Sequence, residues 1–233
     1  MLAVLPGRTK ETVKAFLASM PKPVQRAIRT VCTDLYEGFI NAVKEVLGHA
    51  QVVADRSHVA KLYRECADHL RKQERRRLKQ DLPKEHYDEI KGAMWPFRKN
   101  PADLEADEHA LLQRLFAYSP DLHRACTYRE QLTAIFEQEL SKEAAKHEIK
   151  KWRRRVKARG LTCYESFFTT LDNWLEEITN YFLHRHNSGF VEGLNNKLKV
   201  LKRRCYGIFN LPHLFQRIFL DLEGYRLFAS PVC

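Results

Sequence analysis

Residues 27–34 read Ala27-Ile28-Arg29-Thr30-Val31-Cys32-Thr33-Asp34, a short run rich in β-branched side chains that ends on a carboxylate. Branched side chains pack well on a pleated surface, so this run predicts a strand. Immediately after it, Phe39, Ile40, Val43, Val46 and Leu47 recur at helical spacing, and Gly48 supplies the stop. Ala50-Gln51-Val52-Val53-Ala54-Asp55 is a second short apolar strand, and Val59, Leu62, Tyr63 and Cys66 begin another helix. Upstream, Thr9 caps a helix whose apolar residues Val13, Phe16, Leu17 and Met20 follow one face, and Pro21 and Pro23 end it. Met1–Leu5, closed by Pro6-Gly7, reads as the end of a further strand and a turn. The order helix, strand, helix, strand, helix predicts parallel βαβ packing.

From about Ala60 to His184 the pattern is helical almost throughout. Thr127 and Glu130 have the spacing of a capping box leading into a helix that carries Leu132, Ile135, Phe136 and Leu140. Pro96 to Pro101 reads as a loop between helices. Arg71 to Lys79 and Lys150 to Arg159 are dense in cations, and each reads either as a solvated helix face or as a phosphate contact. Tyr164, Phe167, Phe168, Leu171, Trp174, Leu175, Ile178, Tyr181 and Phe182 keep the helical period, and such a stripe predicts a buried aromatic core.

The 233 residues carry 40 Lys and Arg against 29 Asp and Glu, a formal charge of +11. That balance points to a polyanionic partner, most commonly nucleic acid, although a merely soluble basic protein shows it too. With 44% apolar residues the chain can bury a core, which excludes wholesale disorder. The six cysteines lie far apart, with no C-x-x-C and no Cys/His cluster at zinc spacing. They predict a reduced, cytoplasmic protein without structural zinc. No apolar run reaches the roughly 18 residues of a membrane span, so no membrane partner is expected.

Three segments hold side chains suited to chemistry. Asp34 ends a strand just before a helix, the edge of an open parallel sheet where ligands collect; it reads as a metal ligand or as a helix cap. Asp55 and His58 form Asp-x-x-His, which lets imidazole and carboxylate meet across one turn; a capping Asp and an ordinary surface His are the plainer alternative. The third segment runs from His184 to Arg204. Asn187 and Ser188 supply caps and Gly189 a permissive backbone, and a helix then presents Glu192, Asn195 or Asn196, Lys199 and Arg203 along one face. A carboxylate followed by amides and cations suits a phosphodiester. Tyr206 and Phe209, just beyond, read as packing residues.

Val31-Cys32-Thr33-Asp34-Leu35-Tyr36-Glu37-Gly38-Phe39, Val52-Val53-Ala54-Asp55-Arg56-Ser57-His58-Val59 and Ser188-Gly189-Phe190-Val191-Glu192-Gly193-Leu194-Asn195-Asn196-Lys197 resemble, in this order, the DDE transposases of the ISL group of bacterial insertion sequences, relatives of the Mutator-like enzymes. The resemblance covers nearly the whole chain, and its last block is the most specific. It implies an α/β fold with an RNase H-like core and a large all-helical insertion. It also implies two Asp and one Glu holding two divalent ions, normally Mg2+, for in-line displacement at DNA phosphodiesters. Residue by residue, Asp34 matches the second Asp and Glu192 the final Glu, 158 positions later (192 − 34). Asp55 and His58 match an accessory Asp-x-x-His, with Asp55 the competing candidate for the second catalytic Asp because it too ends a strand.

The same resemblance divides the chain into a core part at 1–65, a helical insertion at 66–184, and a core helix with its tail at 185–233. It places the family's first Asp upstream of a segment like Leu2 to Leu17, so the core is expected to be incomplete on its N-terminal side and the truncated chain inactive. Asn195, Asn196, Lys197, Lys199, Lys202, Arg203 and Arg204 are the expected DNA contacts. The implied function is DNA transposition in a bacterial cytoplasm, at the nucleoid. Implied partners are transposon-end DNA and a second copy or full-length transposase. The alternative is a non-catalytic DNA-binding remnant that interferes with full-length transposase.

Overall fold

The computed structural model describes residues 5–186, 189–205, 207 and 210–228, with 190–192, 211 and 225–228 described by their backbone. It is a mixed α/β, mostly helical structure in two compact units, residues 1–52 with 186–233 and residues 53–185.

In the first unit, α1 (Lys10–Ser19) begins where Thr9 Oγ1 accepts a hydrogen bond from the Thr12 amide at 3.2 Å. Pro21 ends that helix, but Pro23 does not prolong the break; it sits at the start of α2 (Lys22–Ala27), where a missing N–H costs nothing. Gln25, buried on α2, donates through Nε2 to the carbonyls of Leu17, Ala18 and Met20 at 3.1, 3.1 and 2.8 Å, filling acceptors left open where α1 ends. The expected first strand is correspondingly shorter: β1 is Thr30–Thr33, and Ala27 belongs to α2. After α3 (Glu37–Val46) comes β2 (Gln51–Ala54), which pairs with β1 in a two-stranded parallel sheet, the βαβ order predicted above. Ile40, Ala42 and Val43 of α3 are buried, and Lys14 of α1 donates to Glu45 at 2.7 Å. The expected strand at Met1–Leu5 lies outside the described residues except for Leu5, which is not in a strand.

The second unit opens with α4 (Arg56–Asp81), 26 residues and about 39 Å long at 1.5 Å per residue. Short helices α5 (Lys84–Asp88) and α6 (Met94–Arg98) and a 3₁₀ turn at Pro101–Asp103 follow, so most of the expected Pro96–Pro101 loop is helical, with Pro96 itself buried in α6. Next come α7 (Ala106–Tyr118), α8 (Pro120–Glu137), α9 (Lys142–Ala158), a 3₁₀ turn at Thr162–Tyr164, α10 (Glu165–Thr179) and α11 (Tyr181–His184). The Thr127/Glu130 box is absent: both residues lie inside α8, which Ser119 caps and Pro120 opens, and Thr127 Oγ1 donates instead to the His123 carbonyl at 3.0 Å. The capping box that does form joins Glu105 and Glu108 at the start of α7. Gly160, in the left-handed region at φ +69°, turns the chain after α9, a conformation that glycine adopts without steric cost.

The aromatic stripe is core, as its period predicts. Tyr164, Phe167, Phe168, Leu171, Ile178, Tyr181 and Phe182 are buried, and three of the rings meet Trp152 of α9 edge-on at 5.5–6.0 Å. Trp152 Nε1 donates to the Tyr128 carbonyl at 2.9 Å, so its one polar group is satisfied. Trp174 departs from the strict period with non-helical dihedrals (φ −131°, ψ 21°) that kink α10.

Returning to the first unit, α12 (Gly189–Arg204) and α13 (Leu211–Phe228) close the chain. Leu201 of α12 packs with Leu214 and Ile218 of α13, with Leu198 against that cluster. No helix among the described residues is long and apolar enough to cross a membrane.

Candidate functional site

The β1 strand delivers Asp34 to its C-terminal end, where the next helix does not use it. The α3 N-cap is Tyr36, with no side-chain cap bond, so the capping alternative for Asp34 does not hold. The Asp34 side chain is 29% exposed, its Oδ2 lies 3.7 Å from Arg8 Nη2, and its Oδ1 is buried without a hydrogen-bond partner among the described residues. Burying a carboxylate oxygen unbonded is costly, and a cation is what such an oxygen accommodates best. Arg8 also stacks over Tyr36 and Phe39, its guanidinium carbon 4.9 and 5.8 Å from the ring centroids. No sequence motif singled out Arg8; it reaches the carboxylate through tertiary packing.

Asp55, following β2, is in a different chemical state. Its carboxylate is 2% exposed and saturated: Oδ2 accepts from Ser57 Oγ at 2.7 Å and faces His58 Nδ1 at 2.8 Å, while Oδ1 accepts from the Ser57 amide at 3.3 Å. The Asp-x-x-His contact and the capping role are therefore the same structure, because Asp55 is the N-cap of α4. His58 is half exposed, with its ring oriented by the carboxylate below it. Ser57, between them in sequence, is a partner that the spacing alone did not single out.

Glu192 lies in the first turn of α12, and its side chain is outside the described residues, as are Asn187, Ser188, Tyr206 and Phe209. Further along that helix Asn195, Asn196, Lys197, Lys199, Lys202, Arg203 and Arg204 are all exposed. Lys197 differs from the other cations, because its Nζ pairs with Asp221 of α13 at 2.7 Å. Lys199, 3.5 Å from Asn196 Oδ1, and Lys202, Arg203 and Arg204 have no carboxylate partner among the described residues. The helix thus packs against α13 through Leu198 and Leu201, and its exposed residues include Asn195, Asn196 and the five cations from Lys197 to Arg204. Among the described residues no three His, Cys, Asp or Glu side chains gather closely enough to hold an ion. The oxygen donors that fit a hard divalent cation are carboxylates, and among the described residues Asp34 Oδ1 is a buried carboxylate oxygen with no hydrogen-bond partner.

A family model described as a transposase matches residues 1–218. The chain belongs to the ISL3 family of DDE transposases. Among curated relatives of this transposase chain, the transposase for insertion sequence element IS1001 of Bordetella parapertussis is 28% identical over 228 residues, covering 96% of this chain and 55% of the relative. The transposase for insertion sequence element IS1557 of Mycobacterium tuberculosis is 23% identical over 240 residues, 95% of this chain and 54% of the relative. The chain spans about half the length of the curated relatives it matches. No solved structure matches it.

Proposed function

We propose that these residues supply part of the catalytic apparatus of DNA transposition, on an RNase H-like core with Asp34 and Glu192 as ligands for divalent metal. The observation that carries the reading is the buried Asp34 Oδ1 directly after β1, without a partner among the described residues, in a chain whose transposase family match takes in both carboxylates. It also favours Asp34 over Asp55 as the ligand, since every oxygen of Asp55 already accepts a hydrogen bond. When bound, Mg2+ would polarise the phosphodiester and lower the pKa of an attacking water or 3′-hydroxyl. Asp34 and Glu192 would hold it with hard anionic oxygens. Asp55 orients His58 as a support. Lys199, Lys202, Arg203 and Arg204 neutralise phosphates of the DNA held against α12, with Asn195 and Asn196 donating hydrogen bonds and Lys197 contributing less because Asp221 shares its charge.

Two assays test this reading. Retention of the 233-residue chain on duplex DNA is expected to fall steeply with added salt, and salt-insensitive or absent binding contradicts the α12 assignment. With two of the triad carboxylates assigned, the chain alone is expected to bind DNA without cutting it. Robust Mg2+-dependent nicking of supercoiled plasmid, abolished by Glu192→Gln, would overturn the inactive reading while upholding the ligand role. A chain that binds transposon ends and lowers the rate of a full-length transposase added to it would act as the interfering remnant.

A further inference from the structure

The α12 helix leaves much of the positive charge unused. Residues 71–79 hold six Lys and Arg against one Glu, and the structure sorts them. Arg71 is 5% exposed and bonded to Asp68 at 2.7 Å; Lys72 lies 3.3 Å from Asp68; Arg77 pairs with Glu74 and Asp81. Arg75, Arg76 and Lys79 remain, exposed and without a carboxylate partner among the described residues. Along the dense stretch at 150–159, Arg153 is engaged by Asp172, Lys151 by Glu148, and Lys157 lies over Phe168; Lys150, Arg154, Arg155 and Arg159 are exposed and without a carboxylate partner among the described residues, but no exposed indole accompanies them.

Beside these cations α4, α5 and α6 enclose a groove of about 770 Å³. Arg75, Lys79 and Lys84 stand on its rim, and Leu78, Ile90 and Leu115 form an apolar floor. Trp95 of α6 lines it at 64% exposure, the most exposed of the large apolar side chains described, with the Arg98 guanidinium 5.7 Å from its ring. An indole left in water costs hydrophobic free energy, and cations around an apolar cleft select an occupant with an anionic backbone and flat apolar faces. A duplex offers phosphates but keeps its base faces stacked away, whereas an unpaired strand offers both.

We propose that this groove on the helical unit binds single-stranded DNA, with Arg75, Lys79 and Lys84 following the phosphates and Trp95 stacking on an unpaired base. The proposal rests on the DNA-directed reading above and adds to it a second contact surface of different specificity. It is a binding site, so no bond is made or broken there.

The test measures affinity of the complete chain for a fluorescent oligo-dT, for the same length of abasic deoxyribose-phosphate strand and for a duplex. Trp95→Ala is expected to weaken oligo-dT binding about tenfold or more and to leave abasic-strand and duplex binding unchanged. Arg75→Ala with Lys79→Ala is expected to weaken both single strands and to flatten their salt dependence by about one unit of slope. All of these side chains are exposed, and unchanged circular dichroism and melting will show that the variants fold. Equal oligo-dT affinity in wild type and Trp95→Ala, or a Trp95→Ala variant that loses abasic-strand and oligo-dT binding in equal measure, would overturn the proposal. Duplex binding that persists in the groove variants and is lost on replacing Lys202, Arg203 and Arg204 keeps the earlier reading standing on its own. A wild-type chain that binds none of the three nucleic acids would overturn both.

Discussion

Trp152 and Asp34 mark two opposite regimes in one chain. Around Trp152, in the unit formed by residues 53–185, rings from α9, α10 and the turn before it are fully enclosed and every polar atom of the indole is satisfied. Around Asp34, in the other unit, all four residues of β1 are only half buried and a carboxylate oxygen is buried with no hydrogen-bond partner among the described residues. Dense apolar packing supplies stability, whereas a partly solvated strand end with an unsatisfied acceptor is what a ligand site requires. The difference teaches that the densest packing and the unsatisfied buried carboxylate oxygen fall in different units.

Several substitutions can break that contrast, and Trp152→Ala has the largest expected effect. Removing a fully buried indole from a well-packed aromatic cluster should cost about 4 kcal/mol, read from the urea midpoint of the 53–185 transition. A loss below about 1 kcal/mol would contradict the view that this cluster holds the unit together.

Asp68→Ala should follow closely, at about 3 kcal/mol. Asp68 receives Arg71 at 2.7 Å, Arg98 at 2.7 Å and Lys72 at 3.3 Å, and its loss leaves the enclosed Arg71 guanidinium without a counter-charge. The acid limb tests the same cluster. Burial raises the Asp68 carboxyl pKa, but the hydrogen bonds from Arg98 and Arg71 outweigh it and hold the value well below the usual carboxylate range. A depressed folded-state pKa means that the contribution is fully present above the unfolded value near pH 4 and is lost only as pH falls through the lower folded one. Asp68→Asn should therefore flatten the stability profile below about pH 4; an unchanged acid limb would show that the cluster is screened.

Val31→Ala, on the half-buried β1, should cost about 1 kcal/mol or less by the same denaturation measurement. A cost equal to that of Trp152→Ala would erase the contrast. Smallest of all is a rate effect: burial pushes both the Cys126 and the Cys163 thiols up to about 12, so among the described cysteines these two should be the last alkylated by iodoacetamide at pH 8. Early labelling would show that the helical unit opens readily.

The βαβ order, the helical character of 60–184 and the aromatic core were all legible, because each rests on a period that the sequence states directly. Boundaries set by isolated residues were not. Thr127 and Glu130 had capping spacing inside a helix already under way from Pro120, and residues 96–98 of the expected loop lie in α6, where Pro96 and Phe97 are buried. Local spacing states neither where a helix began upstream nor which residues are buried; the first decided the Thr127/Glu130 case and the second accompanies the other. Among the candidate residues, the Asp55–His58 contact follows from helical geometry and could be read in advance. The Arg8 contact to Asp34 and the groove beside Trp95 join residues distant in sequence, so no motif announces them.

The central claim, that Asp34 is a divalent-metal ligand, is tested most directly by Mn2+ binding to the 233-residue chain in the presence of DNA, followed by electron paramagnetic resonance with Mg2+ as competitor. Wild type should bind Mn2+ that Mg2+ displaces, and Asp34→Asn should weaken that binding at least tenfold. Equal Mn2+ affinity in wild type and Asp34→Asn would contradict the account.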